Sequence, residues 1–193
     1  MVTLWLMRHA PSPQNVAGVI MGGTADPEPL PEELERAALA GTALEGRFSR
    51  VLASPQRRAL LTAQAAFPQV EVRVDERLRE RDLGEWQGAA KQSLPADVLS
   101  RAGSVRLGAA PPNGESPRAF GVRVRSLLEE LARLHDGETL IAVTHNGVIR
   151  MALFLSRAAS LEEASDADVR FLEPLAVEVS ADTLVVPEQA LPG

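Results

Sequence analysis

The chain contains no cysteine among its 193 residues, which excludes disulfide bonds, thiolate metal sites and thiol catalysis. It also has no apolar run close to the roughly 18 residues that a membrane span requires. The N-terminus lacks a basic stretch followed by a long apolar one, so we expect no signal peptide. The absence of cysteine does not reveal the compartment. The default expectation is a soluble cytoplasmic protein that binds no membrane.

Positive charge is also scarce, with 20 basic residues against 26 acidic ones and a formal net charge of −6. This balance argues against non-specific binding of nucleic acid as the main function. Only one basic residue, Lys91, is a lysine. Genomic composition bias is the simplest explanation of the arginine excess, although the planar guanidinium suits phosphate recognition. Only arginines in a defined setting can therefore support an argument about function.

Two short apolar stretches each end on a histidine. The first covers residues 4–7 and is followed by Arg8 and His9, and the second covers residues 139–144 and is followed by His145. Continuous apolar runs are typical of buried parallel strands. The carboxyl ends of such strands form the ligand-binding crevice of open α/β sheets. A single histidine is more often structural, but two of the chain's three histidines in the same position indicate a site.

Helical and extended patterns alternate along the chain, which predicts a mostly parallel sheet covered on both faces. The expected fold is a three-layer α/β/α structure, with residues 1–193 forming a single domain. Helices are expected over residues 31–44, 56–66, 91–102, 116–135 and 148–155. Besides the two strands that end on histidine, strands are expected over residues 48–53, 70–74, 176–179 and 183–186, the last two as a hairpin. Ser54 and Ser116 are expected to cap the helices that follow them.

Six short motifs occur in an order that is typical of one family. They are Arg-His at 8–9, Asn15, Ser-Pro-Gln-Arg-Arg-Ala at 54–59, Leu-Arg-Glu at 78–80, Asn-Gly-Glu-Ser at 113–116, and Thr-His-Asn-Gly-Val-Ile-Arg at 144–150. Each motif is weak alone, but together they make the chain resemble the histidine phosphatase superfamily, also called the phosphoglycerate mutase-like family. The resemblance covers most of the chain up to about residue 150 and implies the phosphoglycerate mutase-like fold.

The resemblance implies that His9 is a nucleophile that forms a covalent phosphohistidine, and that Arg8 and Arg58 bind the phosphoryl group. The motif selects Arg58 rather than its neighbour Arg57. A phosphomonoester is dianionic at neutral pH, so two permanent positive charges would stabilise both the substrate and the transferring group. The same charges disfavour the imidazolium form of His9, and an unprotonated ring nitrogen is what a nucleophilic histidine needs.

The resemblance also assigns roles to the polar residues around the two histidines. His145 is expected to donate to the transferring phosphoryl oxygens, and Glu80 to protonate the leaving alkoxide and then act as base toward water. Asn15 and Asn146, the latter through its backbone N–H, are expected to complete the phosphate contacts. No metal or other cofactor is implied, because the arginines supply the electrostatic stabilisation that Mg²⁺ supplies in other phosphoryl-transfer sites.

Some positions depart from the family's pattern. Ala10 stands where glycine is usual, Pro11 and Ser12 where Glu-Thr is frequent, Val19 where many members have a substrate-contacting arginine, and Met21 where glutamine is common. These differences leave the core chemistry intact and concern the part of the site that selects the substrate.

The leading function is therefore a phosphomonoester phosphatase that acts on a small phosphorylated metabolite. A cofactor-dependent phosphoglycerate mutase is the first alternative, and the short segment 87–113 favours a phosphatase over it. A non-catalytic phosphoester-binding module is the second alternative, although it predicts loss of the nucleophile or the acid and neither is lost. A homodimer is left open.

Overall fold

The computed structural model describes residues 1–93 and 110–180, together with Asp182 and Leu184. Its described part contains a five-stranded sheet with the spatial order β3-β2-β4-β1-β5. The strands are β1 (Val2–Arg8), β2 (Arg50–Ala53), β3 (Val72–Val74), β4 (Thr139–Thr144) and β5 (Pro174–Val179). The first four are mutually parallel where they pair, and β5 runs antiparallel to β1.

Six α-helices and three short 3-10 turns accompany the sheet in the described ranges. The helices are α1 (Pro13–Val16), α2 (Pro31–Thr42), α3 (Arg57–Ala66), α4 (Pro117–Leu134), α5 (Asn146–Leu155) and α6 (Leu161–Asp166). The 3-10 turns are Glu76–Leu78, Gly84–Trp86 and Lys91–Ser93. None of the described helices is long and apolar enough to cross a membrane.

Successive residues of a strand point to opposite faces of the sheet, so both faces carry apolar side chains. Helices cover both of these faces. On β1, the buried side chains of Leu4 and Leu6 join the core formed with α4 and α5. Met7 faces the other way and packs in a second core with Ala59 and Ala63 of α3. The expected three-layer α/β/α architecture with a mostly parallel sheet is therefore confirmed.

The start of α3 differs from the expectation. The helix begins at Arg57, its cap position is Gln56, and that cap makes no side-chain hydrogen bond to the helix. The expectation that Ser54 caps α3 is thus wrong. Its hydroxyl contacts His145 instead. The predicted cap on α4 is confirmed, since the Ser116 hydroxyl accepts a hydrogen bond from the backbone N–H of Ala119 at 3.1 Å.

Two further expectations fall largely on residues outside the described ranges. The helix over 91–102 lies there except for the turn Lys91–Ser93. The second hairpin strand over 183–186 lies there except for Leu184, while the first strand is found within β5, paired with β1. The short helices α1 and α6 were not predicted, although Ser12 and Ser160 begin them with reciprocal capping boxes. Helices of four and six residues are too short to show a helical apolar period.

Candidate active site

The carboxyl ends of three neighbouring parallel strands place three polar residues side by side. His9 follows β1 and donates its backbone N–H to Thr144 of β4 at 2.9 Å. Ser54 follows β2 and donates its backbone N–H to Val143 of β4 at 3.0 Å. His145 follows β4 directly, and its ring centroid lies 5.1 Å from that of His9. The expectation that the two strand-end histidines meet at one edge of the sheet is confirmed by this geometry.

The imidazole of His9 is buried and held in one tautomer. Its Nδ1 lies 2.7 Å from the carbonyl oxygen of Ala10. A carbonyl can only accept, so Nδ1 carries the proton and Nε2 keeps its lone pair. Burial holds the pKa of His9 well below 6.5, and the charges of Arg58 and Arg8 lower it further. The two arginines thus act as the sequence predicted, but burial is the larger cause.

His145 is also buried and neutral, and its ring is oriented by Ser54. The hydroxyl of Ser54 accepts a hydrogen bond from the backbone N–H of Gln56 at 3.3 Å and lies 2.8 Å from Nε2 of His145. We assign the hydroxyl proton to the hydrogen bond with Nε2, which places the ring proton on Nδ1. Nδ1 is buried and has no hydrogen-bond partner in the described part of the chain. Burial is the largest cause that holds the pKa of His145 well below 6.5, followed by the charge of Arg58 and then those of Arg8 and Arg123.

The neighbours Arg57 and Arg58 point in different directions from the start of α3. Arg58 is 0% exposed, and its guanidinium donates to the carbonyl oxygens of Ala25 at 2.7 Å and Gly22 at 3.2 Å. The side chain of Arg57 is 61% exposed and pairs with Glu28. Burial lowers the pKa of Arg58, while the carboxylates of Glu80 and Asp26 raise it. Only Arg58 therefore lies beside the two histidines, as the motif had selected.

Arg8 lies on the other side of His9, against the chain segment that precedes β5. Its guanidinium donates to the carbonyl oxygen of Val169 at 2.9 Å, and its central carbon lies 3.5 Å from the ring centroid of Phe171. The Phe171 ring also contacts His9 edge-on, with the centroids 5.7 Å apart. Phe171 therefore packs against both residues and gives the site an apolar wall.

The carboxylate of Glu80 lies at the N-terminus of α5, immediately after His145. One of its oxygens accepts the backbone N–H of Gly147 at 3.0 Å, and the other accepts that of Arg81 at 2.9 Å. A Cβ on Gly147 would lie 2.3 Å from Glu80 Oε1, so a larger residue here would displace the carboxylate. The predicted proton donor is thus fixed at the first turn of the helix that follows the second histidine.

The two predicted asparagine contacts are placed differently. The Oδ1 of Asn15 accepts from the backbone N–H of Ser12 at 3.0 Å and from its hydroxyl at 2.9 Å, so that oxygen caps α1. Asn146 is the first residue of α5, and its Oδ1 accepts from Nε of Arg150 at 2.6 Å. Its backbone N–H lies in the first helical turn, where such groups have no partner within the helix. This placement is consistent with the expected backbone contact to phosphate.

Comparisons with known proteins agree with this geometry. A family model described as the histidine phosphatase superfamily (branch 1) matches residues 4–182. The chain belongs to the histidine phosphatase superfamily. It is 34% identical over 168 residues to a Hydrogenobacter thermophilus protein named as a phosphoserine phosphatase, covering 84% of this chain and 82% of that one. It is 32% identical over 169 residues to the adenosylcobalamin/alpha-ribazole phosphatase of Salmonella typhimurium, with the same coverage.

Comparison with a solved structure shows that the similarity includes the fold. The mycobacterial glucosyl-3-phosphoglycerate phosphatase in complex with VO3 superposes with a TM-score of 0.78 at 26% identity, covering 92% of this chain and 98% of that one. The three proteins mentioned here are named as phosphatases, and the present chain is an enzyme of this class. The phosphoglycerate mutase and the non-catalytic module are less well supported.

Four residues that contact the site of this histidine phosphatase were given no role in the site by the sequence analysis. Ser54 orients His145, and Gln56 accepts the backbone N–H of Glu80 at 2.8 Å. The hydroxyl of Thr62 accepts a hydrogen bond from the backbone N–H of Ala10 and donates one to the carbonyl oxygen of Arg58. Phe171 packs on Arg8. The first three lie in or next to the Ser-Pro motif, which gives their position but no role, and Phe171 lies beyond the last motif.

Groups of three or more metal-ligating side chains are absent from the described residues. The guanidiniums of Arg8 and Arg58 are close enough to lower the pKa of both histidines, and that of Arg123 also lowers the pKa of His145.

We expect both site histidines to be neutral in the free enzyme at pH 6.5, where half of all unperturbed imidazoles are protonated. The reason is that burial and two neighbouring guanidiniums destabilise the imidazolium form of His9 and His145. Nitrogen-15 NMR of labelled imidazoles measures this directly, and it should show the proton on Nδ1 in both rings. The single variants His9→Gln and His145→Gln assign the signals. A proton on Nε2 of His145 would contradict the orientation assigned to Ser54.

Proposed function

We propose that the enzyme hydrolyses phosphomonoesters by transferring the phosphoryl group to Nε2 of His9 and then to water. The observation that carries this proposal is the hydrogen bond from Nδ1 of His9 to the Ala10 carbonyl. It fixes the lone pair on Nε2 in a ring that burial keeps neutral. A histidine attacks phosphorus only through an unprotonated nitrogen, so the site holds its nucleophile in the reactive form.

Arg8 and Arg58 form the proposed phosphate clamp. Both keep their positive charge, and both lie next to the two imidazoles. Phosphoryl transfer depends mainly on positioning and on stabilising the charge of the transferring group. The hydrogen bonds of the guanidiniums to the carbonyls of Val169, Gly22 and Ala25 orient them before substrate binds. Such preorganisation avoids the cost of reorienting donors during the reaction.

His145 is the proposed donor to the phosphoryl oxygens. Its Nδ1–H has no acceptor among the described residues, and a buried donor of this kind gains much from an acceptor because it left water without one. A bound dianion would also raise the pKa of this histidine. We place Asn15 and the backbone N–H of Asn146 among the remaining phosphate contacts.

Glu80 is the proposed acid and base. In the first step the P–O bond to the leaving group breaks, the P–N bond to His9 forms, and Glu80 gives its proton to the leaving oxygen. In the second step Glu80 takes a proton from water, whose oxygen attacks phosphorus and releases inorganic phosphate and free His9. Each step balances with these groups alone.

The proposed substrate is a small phosphorylated metabolite. The relatives named above act, by their names, on phosphoserine, on alpha-ribazole phosphate and on glucosyl-3-phosphoglycerate. A screen of phosphorylated metabolites with release of inorganic phosphate as the readout distinguishes among such compounds. The proposal places the enzyme in the cytoplasm as one domain, 1–193, with a homodimer left open.

Trapping the covalent intermediate tests the reaction. We expect that quenching the enzyme in base during turnover of a labelled phosphomonoester preserves a phosphoryl group on His9. A phosphohistidine is stable in base and labile in acid, unlike a serine phosphate. Peptide mass spectrometry locates the group, and His145→Gln serves as a variant that retains the nucleophile. Rapid turnover with no base-stable label would overturn the covalent mechanism.

We expect Glu80→Gln to slow the phosphorylation step of an alkyl phosphate by ~100-fold or more and that of a nitrophenyl phosphate much less. An alkyl ester leaves as a strongly basic alkoxide and needs a proton, whereas a nitrophenolate hardly needs one. Quenched-flow measurement of phosphohistidine formation isolates this step from hydrolysis of the intermediate, in which Glu80 acts as base for both substrates.

The exposed Glu76, four residues before Glu80, provides the matched control, and Glu76→Gln should leave both rates within about twofold, the range of an unconnected surface change. Equal slowing of both esters in Glu80→Gln would mean that Glu80 only shapes the site. Asp82 and Glu85 would then be the carboxylates to test. Both are engaged in the loop, since Asp82 accepts from Gly84 at 2.9 Å and Glu85 accepts from Asn113 at 2.7 Å.

A further inference from the structure

The side chain of Gln56 is buried between two irregular segments of the site. Its Nε2 lies 3.2 Å from the carbonyl oxygens of Gly22 and Gly23 and 3.4 Å from that of Ala25. Its Oε1 accepts the backbone N–H of Glu80 at 2.8 Å. The amide of one side chain therefore joins the segment 22–25 to the segment that carries the proposed acid.

The segment 22–25 is also the support of the buried arginine. Arg58 donates to the carbonyl oxygens of Gly22 and Ala25, which are two of the three that Gln56 contacts. The same segment packs closely on the acid's backbone, since a Cβ on Gly23 would lie 2.8 Å from the carbonyl oxygen of Glu80. Gln56 is thus bonded to the backbone of Glu80 on one side and to the carbonyls that orient Arg58 on the other.

Buried amides are costly unless their donors and acceptors are all used. An apolar residue of the same size would fill the same space but would remove the acceptor of the Glu80 backbone N–H. The hydrogen bonds of Gln56 go to segments without regular secondary structure, so no strand or helix ladder would otherwise fix their separation. These hydrogen bonds therefore fix the distance between segment 22–25, which supports Arg58, and Glu80, the proposed proton donor.

We infer that Gln56 is a positioning residue that sets the place of the Glu80 carboxylate relative to the phosphoryl group held by Arg58. It touches neither substrate nor reacting atoms and acts through the backbone of Glu80. This inference rests on the proposed function, in which Glu80 protonates the leaving group. A misplacement of about 1 Å in an active site can reduce the rate ~100-fold.

The test compares Gln56→Met, which keeps the size and removes every hydrogen bond, with Gln64→Met on the exposed side of the same helix. Phosphohistidine formation is measured by quenched flow with an alkyl and a nitrophenyl phosphate. Gln56→Met should slow the alkyl ester by roughly 10- to 100-fold and the nitrophenyl ester by no more than about threefold. Gln64→Met should leave both rates unchanged.

A double-mutant cycle separates positioning of Glu80 from a general structural role. In the Glu80→Gln background, the removal of Gln56 should no longer change the ratio of the two rates, because the acid that it positions is absent. A purely structural role predicts equal slowing of both esters in both backgrounds, and that result would overturn the inference.

The cycle also distinguishes failure of this inference from failure of the proposed function. If Glu80→Gln alone slows both esters equally, the acid role of Glu80 is wrong and the inference falls with it. If Glu80→Gln discriminates between the esters and Gln56→Met does not, the inference alone is wrong. Should Gln56→Met fail to fold, Gln56→Asn keeps the amide but shortens its reach, and the same ratio decides.

Discussion

Replacement of His9 by alanine should abolish phosphate release and leave the fold intact. The residue follows the carboxyl end of β1. Its imidazole therefore serves mainly as a nucleophile and contributes less to core packing. Removing the nucleophile of a covalent mechanism costs on the order of 10⁶-fold in turnover. We therefore expect hydrolysis of an aryl phosphate by the purified variant to be indistinguishable from that of a mock preparation.

The third histidine provides the control for this variant. His135 follows α4 and contacts Glu138 at 3.1 Å, at the amino-terminal end of β4 and thus at the opposite end of that strand from His145. His135→Ala should retain full activity, and both variants should show a cooperative thermal unfolding transition. Turnover by His9→Ala above the mock preparation would contradict the assignment of the nucleophile.

Arg58→Ala should lower kcat/KM by ~100-fold or more, about 3 kcal/mol of transition-state stabilisation. The guanidinium is buried, oriented by two backbone carbonyls and adjacent to both histidines. Its loss removes a positive charge from a site where water cannot replace it. Steady-state kinetics with one aryl and one alkyl phosphate measure the effect, which should appear with both esters because the clamp acts on the phosphoryl group.

Arg57→Ala is the matched control, since it removes the same side chain from the adjacent position. Arg57 is largely exposed and pairs with Glu28, so its removal should change kcat/KM by less than about threefold, as for an exposed ion pair. Arg58→Lys separates charge from geometry, because lysine retains the charge and loses the planar fork. A larger loss in Arg57→Ala than in Arg58→Ala would reverse the assignment.

Sequence patterns predicted those parts of the site that depend on regular structure. Apolar strands ending on polar residues placed His9 and His145 together, because parallel strands bring their carboxyl ends to one edge. The choice of Arg58 over Arg57 came from the family motif. It agrees with the geometry because adjacent helical residues project about 100° apart, and one faces the sheet while the other faces water.

Contacts that depend on irregular backbone could not be predicted. Ser54 reads as a helix cap, and only the three-dimensional structure shows that its hydroxyl faces a residue 91 positions away. Gln56 gains its partners from two loops whose approach no local pattern encodes. Phe171 lies in a stretch without clear periodicity, yet it reaches Arg8 across a separation that only the packed sheet determines.

The order of the strands in the sheet has a consequence for the kinetics of folding. β1 is the first strand to be synthesised, yet its two neighbours, β4 and β5, lie in the last third of the chain. Contacts between residues so distant in sequence are slow to form. Arg8 meets its carbonyl partner, Val169, only when the segment before β5 has been made. The nascent chain should therefore complete its phosphate clamp only when synthesis is nearly finished. Until then, the apolar β1 has to stay soluble without its partner strands.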